Sequence, residues 1–351
     1  MFRKDAQLQN KLIRPEFGQP SVPTADSAEE TSRMFPSMGT IMNLRASGGR
    51  AQEALDAAEK LIGTLNNRLS RMHPESEISR LNFSAAGEWI EVSDQTDAVL
   101  RQALFYARST HGVYDPTIGR LVDLWDIANR QRKKLPDPFE IQRVLLSCDY
   151  RNLETDFAGN YRTHLGASLD LGGIAKGFAA DQTAALWRQY DVESGLIFLG
   201  SSSLAAIGAK PDGSPWRIGI KSADAEKMTC LGVLMLTDQF LSTSGDYEQF
   251  FVKNDHRYHH ILDKKTGYPA ASDLRSVTVV ADNGALCEAY STALLIMGLD
   301  KALEFYEKEG GFEAVFVTSD DRVMYTEGLE TKFEFRGVLL GYHCSACAGC
   351  E

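Results

Sequence analysis

Strands and helices do not take turns along this chain. Strand-like runs of β-branched and apolar residues lie at 165–171, 196–199, 216–220, 231–237, 276–280 and 314–318. Gly-, Asp- and Lys-rich turns separate several of them in hairpin fashion, where a doubly wound parallel sheet would need a helical crossover. The pattern predicts an α+β fold in which antiparallel sheets are flanked by helices. At 51–69, Leu55, Ala58, Ile62, Leu65 and Leu69 recur at spacings of three and four, so they share one apolar stripe of a helix. Ser93 suits the N-cap of a second helix that runs to His111, where Gly112 suits the C-terminal cap. Two further helices are expected at 174–190 and 285–297. No short repeat or low-complexity tract interrupts the chain. Residues 36–340 read as one catalytic unit, between a loose polar arm at 1–35 and a Cys-rich tail at 341–351.

Charge narrows the partners. Against 48 acidic residues stand 37 basic ones, a formal net charge of −11. Gln131-Arg132-Lys133-Lys134 is too short a basic run to grip a nucleic acid. A polyanionic ligand would therefore need local help from a metal ion or from backbone N–H groups. No apolar run approaches the roughly 18–20 residues that span a bilayer. Residues 1–35 also lack a signal-peptide core and a lipid-attachment cysteine. Read as written, the chain is expected in the cytoplasm; a leader already removed would place it in the periplasm.

Three segments carry chemistry. Leu169-Asp170-Leu171-Gly172-Gly173-Ile174-Ala175-Lys176-Gly177 passes through two glycines into a helix start, where a phosphate or metal can approach the backbone and Lys176 adds charge. A plain tight turn would use the same glycines. Tyr258-His259-His260-Ile261-Leu262-Asp263 sets His260 and Asp263 within four residues, a spacing open to a general base with an orienting carboxylate or to a solvent-facing ring beside a turn. In Cys287-Glu288-Ala289-Tyr290-Ser291-Thr292, Glu288 and Thr292 are four apart, so on a helix they share a face. A carboxylate and a hydroxyl suit a hard cation such as Mg²⁺; the same pair is common on exposed helices.

Taken in order, these segments resemble the ApbE family of FAD:protein FMN transferases. The resemblance also rests on Met38-Gly39-Thr40, Ser76-Glu77-Ile78-Ser79-Arg80-Leu81-Asn82, Tyr114-Asp115-Pro116-Thr117, Asp170 to Asp181, Thr243-Ser244-Gly245-Asp246-Tyr247 and Tyr258 to Pro269. It implies an ApbE-like, T-fold-like architecture over residues 36–340. It implies FAD as substrate, with Met38, Tyr114, Asp115, Pro116, Asp170, Lys176 and Leu262 lining its site. Mg²⁺ would be held by Glu288, Thr292 and a carbonyl near Gly173, with His260 and Asp263 beside the reacting phosphates. The implied reaction moves FMN onto a Thr or Ser hydroxyl of a target flavoprotein and releases AMP. A Mg²⁺-dependent FAD pyrophosphatase, or a non-catalytic FAD-binding module, would keep the same pocket.

The chain departs from the family pattern at four places. Glu288 stands for the usual Asp, Met72 for an aromatic residue, Lys264 for Pro, and Ser201-Ser202-Ser203 for Gly-Gly-Asp. Separately, Cys344, Cys347 and Cys350 follow His343 at a spacing that suits a soft metal or an iron–sulfur centre, or an unstructured redox-active tail. The remaining cysteines, Cys148, Cys230 and Cys287, sit in apolar settings and are expected to be buried thiols.

Overall fold

The computed structural model describes residues 30–129, 134–223 and 230–347. Eight helices are present among them: α1 (Ala51–Leu69), α2 (Glu77–Phe83), α3 (Asp94–Ser109), α4 (Gly119–Trp125), α5 (Pro138–Leu145), α6 (Ala175–Arg188), α7 (Gly284–Met297) and α8 (Leu299–Glu309). None is long and apolar enough to cross a membrane.

A nine-stranded sheet forms the backbone of the molecule. Its spatial order follows the chain: Thr31–Ser37, Thr40–Ser47, Ser194–Leu199, Ser203–Ile207, Gln239–Gly245, Leu274–Ala281, Glu313–Thr318, Arg322–Tyr325 and His343–Ala346. Every pairing is antiparallel except the last, which is parallel. Side chains alternate between the faces. Ile197, Ala205, Val277 and Val279 join α1, α3, α6 and α7 in the larger core, whereas Leu196, Leu204, Leu241 and Val280 join a smaller one. That second core is closed by a three-stranded sheet (Phe333–Phe335, Cys230–Leu236, Trp216–Lys221). A third cluster joins Leu121 and Trp125 of α4 and Ile141 of α5 to Phe251 and Leu262.

The antiparallel α+β architecture and the helices expected from periodicity are present. Other expectations are corrected. The strand predicted at 165–171 is a loop, touched only by an isolated bridge from Ser168 to Ile118. Leu165 and Gly166 turn left-handed, at φ 51° and 68°, and the Asn82 side chain takes both backbone groups of Leu169, at 2.6 and 3.0 Å. A side-chain amide thus replaces the ladder that the residue composition suggested. Thr31–Ser37 is a sheet strand within the stretch read as a loose arm; residues 1–29 lie outside the described residues, as do 130–133 of the basic run. Cys148 and Cys287 are buried, but Cys230 is exposed. In the tail, His343–Ala346 is an edge strand, Cys344 and Cys347 are free thiols, and Cys350 lies outside the described residues. No group of three or more His, Cys, Asp or Glu side chains is placed to hold a metal among the described residues.

The closest helix approach is between α6 and α7. A Cβ on Gly177 would stand 2.1 Å from the Gly284 carbonyl oxygen, and one on Gly284 would stand 2.6 Å from that of Gly177. The α7 start is tied down by Asp181 of α6, which accepts the Gly284 and Ala285 N–H groups at 2.6 and 3.0 Å, and by the Asn283 N-cap. Gly177→Ala is expected to lower unfolding stability by about 3 kcal/mol, the upper end of ordinary overpacking. Chemical denaturation measures it, and a loss below about 0.5 kcal/mol, the range of an ordinary surface substitution, would show that the helices can part freely.

Candidate active site

Glu288 lies one turn beyond Gly284 on α7 and is therefore carried against the start of α6. Its side chain is buried. A buried carboxylate is tolerable only with partners, and three are present. The Lys176 ammonium pairs with Oε1, the Gly177 N–H donates to Oε2 at 2.6 Å, and the Ser203 hydroxyl donates to Oε1 at 3.3 Å. Gly177 is in the first turn of α6, so its N–H is one of the donors that a helix start leaves without an intrahelical acceptor. Lys176 also reaches the Gly172 carbonyl at 3.3 Å.

Thr292, one further turn along α7, donates to the Glu288 carbonyl at 3.1 Å and meets the Ser244 hydroxyl at 3.1 Å. Gly173 faces it: a Cβ there would be 3.7 Å from Thr292 Oγ1 and 3.2 Å from the Tyr114 ring. The Tyr114 hydroxyl is buried without a hydrogen-bond partner. Burial, reinforced by the charges of Glu288, Asp115 and Asp170, holds this phenol protonated far above its ordinary range. An unpartnered buried O–H beside an all-oxygen set is a group awaiting an acceptor.

His260 follows directly on the strand His256–His259. Its Nδ1 lies 3.3 Å from the Gln249 carbonyl. Because a carbonyl can only accept, Nδ1 carries the hydrogen and Nε2 keeps its lone pair. Burial pushes the imidazole down to about 4, with further contributions from His259 and from the Lys176 ammonium. Part of the residue's surface still reaches solvent, but the desolvation is enough to leave the ring neutral at pH 7. The charge effect of Lys176 puts His260 and the Glu288 cluster in one electrostatic neighbourhood.

A sequence model of the ApbE family matches residues 38–316. The chain belongs to the ApbE family. It is similar to the FAD:protein FMN transferase of Treponema pallidum, with 31% identity over 319 residues covering 86% of this chain and 88% of that one. It is also similar to the FAD:protein FMN transferase of Haemophilus influenzae, with 30% identity over 281 residues covering 77% and 80%. Among solved structures, the ApbE protein of Thermotoga maritima superposes with a TM-score of 0.81 at 28% identity, covering 87% of this chain and 99% of that one. The flavin transferase ApbE of Vibrio cholerae gives 0.78 at 25%, covering 87% and 100%.

Within this ApbE-family fold, Tyr114, Gly173, Lys176, Glu288 and Thr292 come together. Asp170 borders them: its carboxylate accepts from the Gly172 N–H at 2.8 Å and pairs with Arg71 at 3.5 Å, and its N–H donates to the Pro116 carbonyl. Met38 forms a two-residue hairpin turn with Gly39, both at positive φ (46° and 73°), and its N–H is held by Asn66 at 3.0 Å. A non-glycine residue kept in that conformation costs about 1 kcal/mol. Other residues are engaged elsewhere. Leu262 is buried in the α4–α5 cluster. Asp263 uses its carboxylate to accept the Lys265 N–H at 2.8 Å, so the Gln249 carbonyl orients His260 in its place. Asp115 is buried and committed to Thr117, Tyr150 and Lys264. Met72 is 81% exposed. Gln249 was not singled out from the sequence, and Ser203, Ser244 and Asp181 lay in quoted motifs without a role of their own. Their contacts cross 11 to 103 positions of the chain, and no local pattern marks them.

The lowered His260 value also fixes a pH dependence. Folding holds the ring neutral while the unfolded chain would protonate it near 6.5, so its contribution to stability is present above 6.5 and lost as pH falls toward about 4. An NMR titration of the His260 ring should have its midpoint near 4; a midpoint at the ordinary 6.5 would contradict the buried, neutral assignment.

Proposed function

We propose that the protein transfers FMN from FAD to a Ser or Thr hydroxyl of a target protein and releases AMP, with Glu288, Thr292 and the Gly173 carbonyl holding Mg²⁺. The observation that carries this reading is the Glu288 cluster at the α6 start, where an anion, an ammonium, hydroxyls and the Gly177 N–H converge. Family membership supports the reaction class. The donor set is all oxygen, as a hard divalent cation requires, and it supplies only a few ligands, which leaves the rest to phosphate oxygens. When bound, the ion neutralises charge on the pyrophosphate and acts as a Lewis acid.

The chain's own groups have distinct tasks. His260 Nε2 is unprotonated and takes the proton of the acceptor hydroxyl, whose oxygen bonds to the FMN-side phosphorus. The bond from that phosphorus to the bridging oxygen breaks, and AMP departs with the electron pair. The Lys176 ammonium, which already balances Glu288, offers a mobile positive charge to the phosphate oxygens as negative charge builds. The Tyr114 O–H, partnerless in the absence of substrate, donates to an oxygen of the ligand. Asp170 and Arg71 hold the Gly172–Gly173 turn in the shape that exposes its backbone.

The test is to incubate the protein with FAD, Mg²⁺ and a flavoprotein domain bearing an acceptor Thr, then to measure AMP and the acceptor mass. The expected result is AMP with a matching gain of one FMN on the acceptor. AMP and free FMN without that gain would make the protein a pyrophosphatase, and tight FAD binding without AMP would make it a binding module. His260→Ala is expected to lower the rate about 10²- to 10⁴-fold with FAD still bound, as loss of a general base does. Glu288→Ala should abolish the Mg²⁺-dependent rate; an unchanged rate would refute the metal assignment.

A further inference from the structure

We propose that Lys264 and Asp115 form a buried clasp that sets the distance between His260 and the phosphate-binding side of the site, which makes Lys264 a positioning residue. The inference rests on His260 as the base of the reaction described above. His260 sits between two small hairpins, Phe250–Lys253 with His256–His259 and Leu262–Asp263 with Tyr268–Pro269. Each is a two-stranded sheet of its own, and neither hydrogen-bonds to the nine-stranded sheet. Sheet ladders therefore do not join this segment to the large sheet; its backbone bonds, such as His260 N–H to the Gln249 carbonyl and Ala270 N–H to the Ile261 carbonyl, stay within it, and side-chain ties connect it to its surroundings.

The strongest tie is ionic. Lys264 Nζ lies 2.5 Å from Asp115 Oδ2, whose side chain is wholly buried. The other donors to Asp115 are neutral: the Thr117 N–H and hydroxyl at 2.8 and 2.6 Å and the Tyr150 N–H at 2.9 Å. Lys264 thus brings the balancing charge, and a buried carboxylate without one is unfavourable. Gly112 makes the space, since a Cβ there would be 2.8 Å from Lys264 Nζ. A second tie, Trp125 Nε1 to the Gly267 carbonyl at 2.7 Å, anchors the same turn to α4.

The two ends of the clasp have different neighbours. Asp115 adjoins Tyr114, whose ring packs on Gly173. Lys264 is four residues from His260. One ion pair therefore joins the wall that carries Tyr114 and Gly173 to the wall that carries the base. Reacting groups must be held closely: a displacement of about 1 Å can cost about a hundredfold in rate.

The experiment compares Lys264→Met, the double variant Lys264→Met/Asp115→Asn and the natural chain. It measures kcat and KM for AMP release from FAD with Mg²⁺ and the acceptor domain, together with an NMR titration of His260. Lys264→Met is expected to lower kcat about tenfold to a hundredfold, with KM for FAD changed less than about twofold, and to move the His260 midpoint from about 4 toward 6.5 as water enters. The double variant leaves no unpaired buried charge, so it regains thermal stability but keeps the low kcat and the shifted titration; it also carries the test if the single variant fails to fold. A Lys264→Met protein with natural kcat and natural His260 titration would overturn the proposal. Recovery of both in the double variant would do the same, because only the orphaned charge would then have mattered. If the natural chain makes no AMP, the functional reading fails, while the His260 titration still decides the clasp.

Discussion

The site depends on how closely α6 and α7 can approach. At Gly177 and Gly284 neither helix has room for a side chain, so the backbones touch where most helix pairs keep 8–10 Å between axes. One turn beyond that contact, Glu288 meets the free N–H groups and the Lys176 side chain at the α6 start. The carboxylate, the ammonium and the helix dipole then stabilise one another in a place where each alone would be costly to bury. Asp181 closes the arrangement from below by capping α7 with the other end of the α6 sequence motif.

This geometry also answers an electrostatic difficulty. A chain of net charge −11 repels a pyrophosphate at long range, so attraction has to be built locally. In the proposed function Lys176, the α6 start and the oxygens of Glu288 and Thr292 provide it, brought together by the α6–α7 contact. In the proposed reaction His260 serves as base by staying uncharged: burial disfavours its protonation at neutral pH, and the Gln249 carbonyl at Nδ1 leaves Nε2 with its lone pair. Glu288 has a longer stem than the Asp that the family resemblance implies. In this fold that stem reaches three donors at once, including Ser203 from a neighbouring sheet strand.

Much of the fold was legible in the sequence because periodic burial is a local signal. The stripe from Leu55 to Leu69 and the apolar run before Met297 became α1 and α7, and the strand runs at 196–199, 216–220, 276–280 and 314–318 fell inside observed strands. The run at 165–171 misled because its backbone partners are not a neighbouring strand but scattered groups: Pro116, Gly119 and, for Leu169, the Asn82 side chain 87 positions away. Within the site, the i,i+4 spacing of Glu288 and Thr292 and the Gly-Gly turn were readable. The Lys264–Asp115 pair, 149 positions apart, was not; the family resemblance implied Asp115 as a residue of the FAD site, and the fold gives its carboxylate an ionic partner. Asp263 showed the converse: its closeness to His260 in sequence suggested a dyad, yet a turn claims its carboxylate.

In the proposed function the α6–α7 crossing builds a divalent-cation and pyrophosphate site around Glu288. Crystals grown with FAD and Mn²⁺ in place of Mg²⁺ test it most directly through the anomalous signal of the metal. The account predicts a peak about 2.1–2.2 Å from a Glu288 carboxylate oxygen and from Thr292 Oγ1, a distance usual for a small hard cation, with FAD phosphate oxygens completing the shell and Lys176 turned toward them. A peak bound away from Glu288, or FAD bound with its phosphates remote from the α6 start, would contradict it.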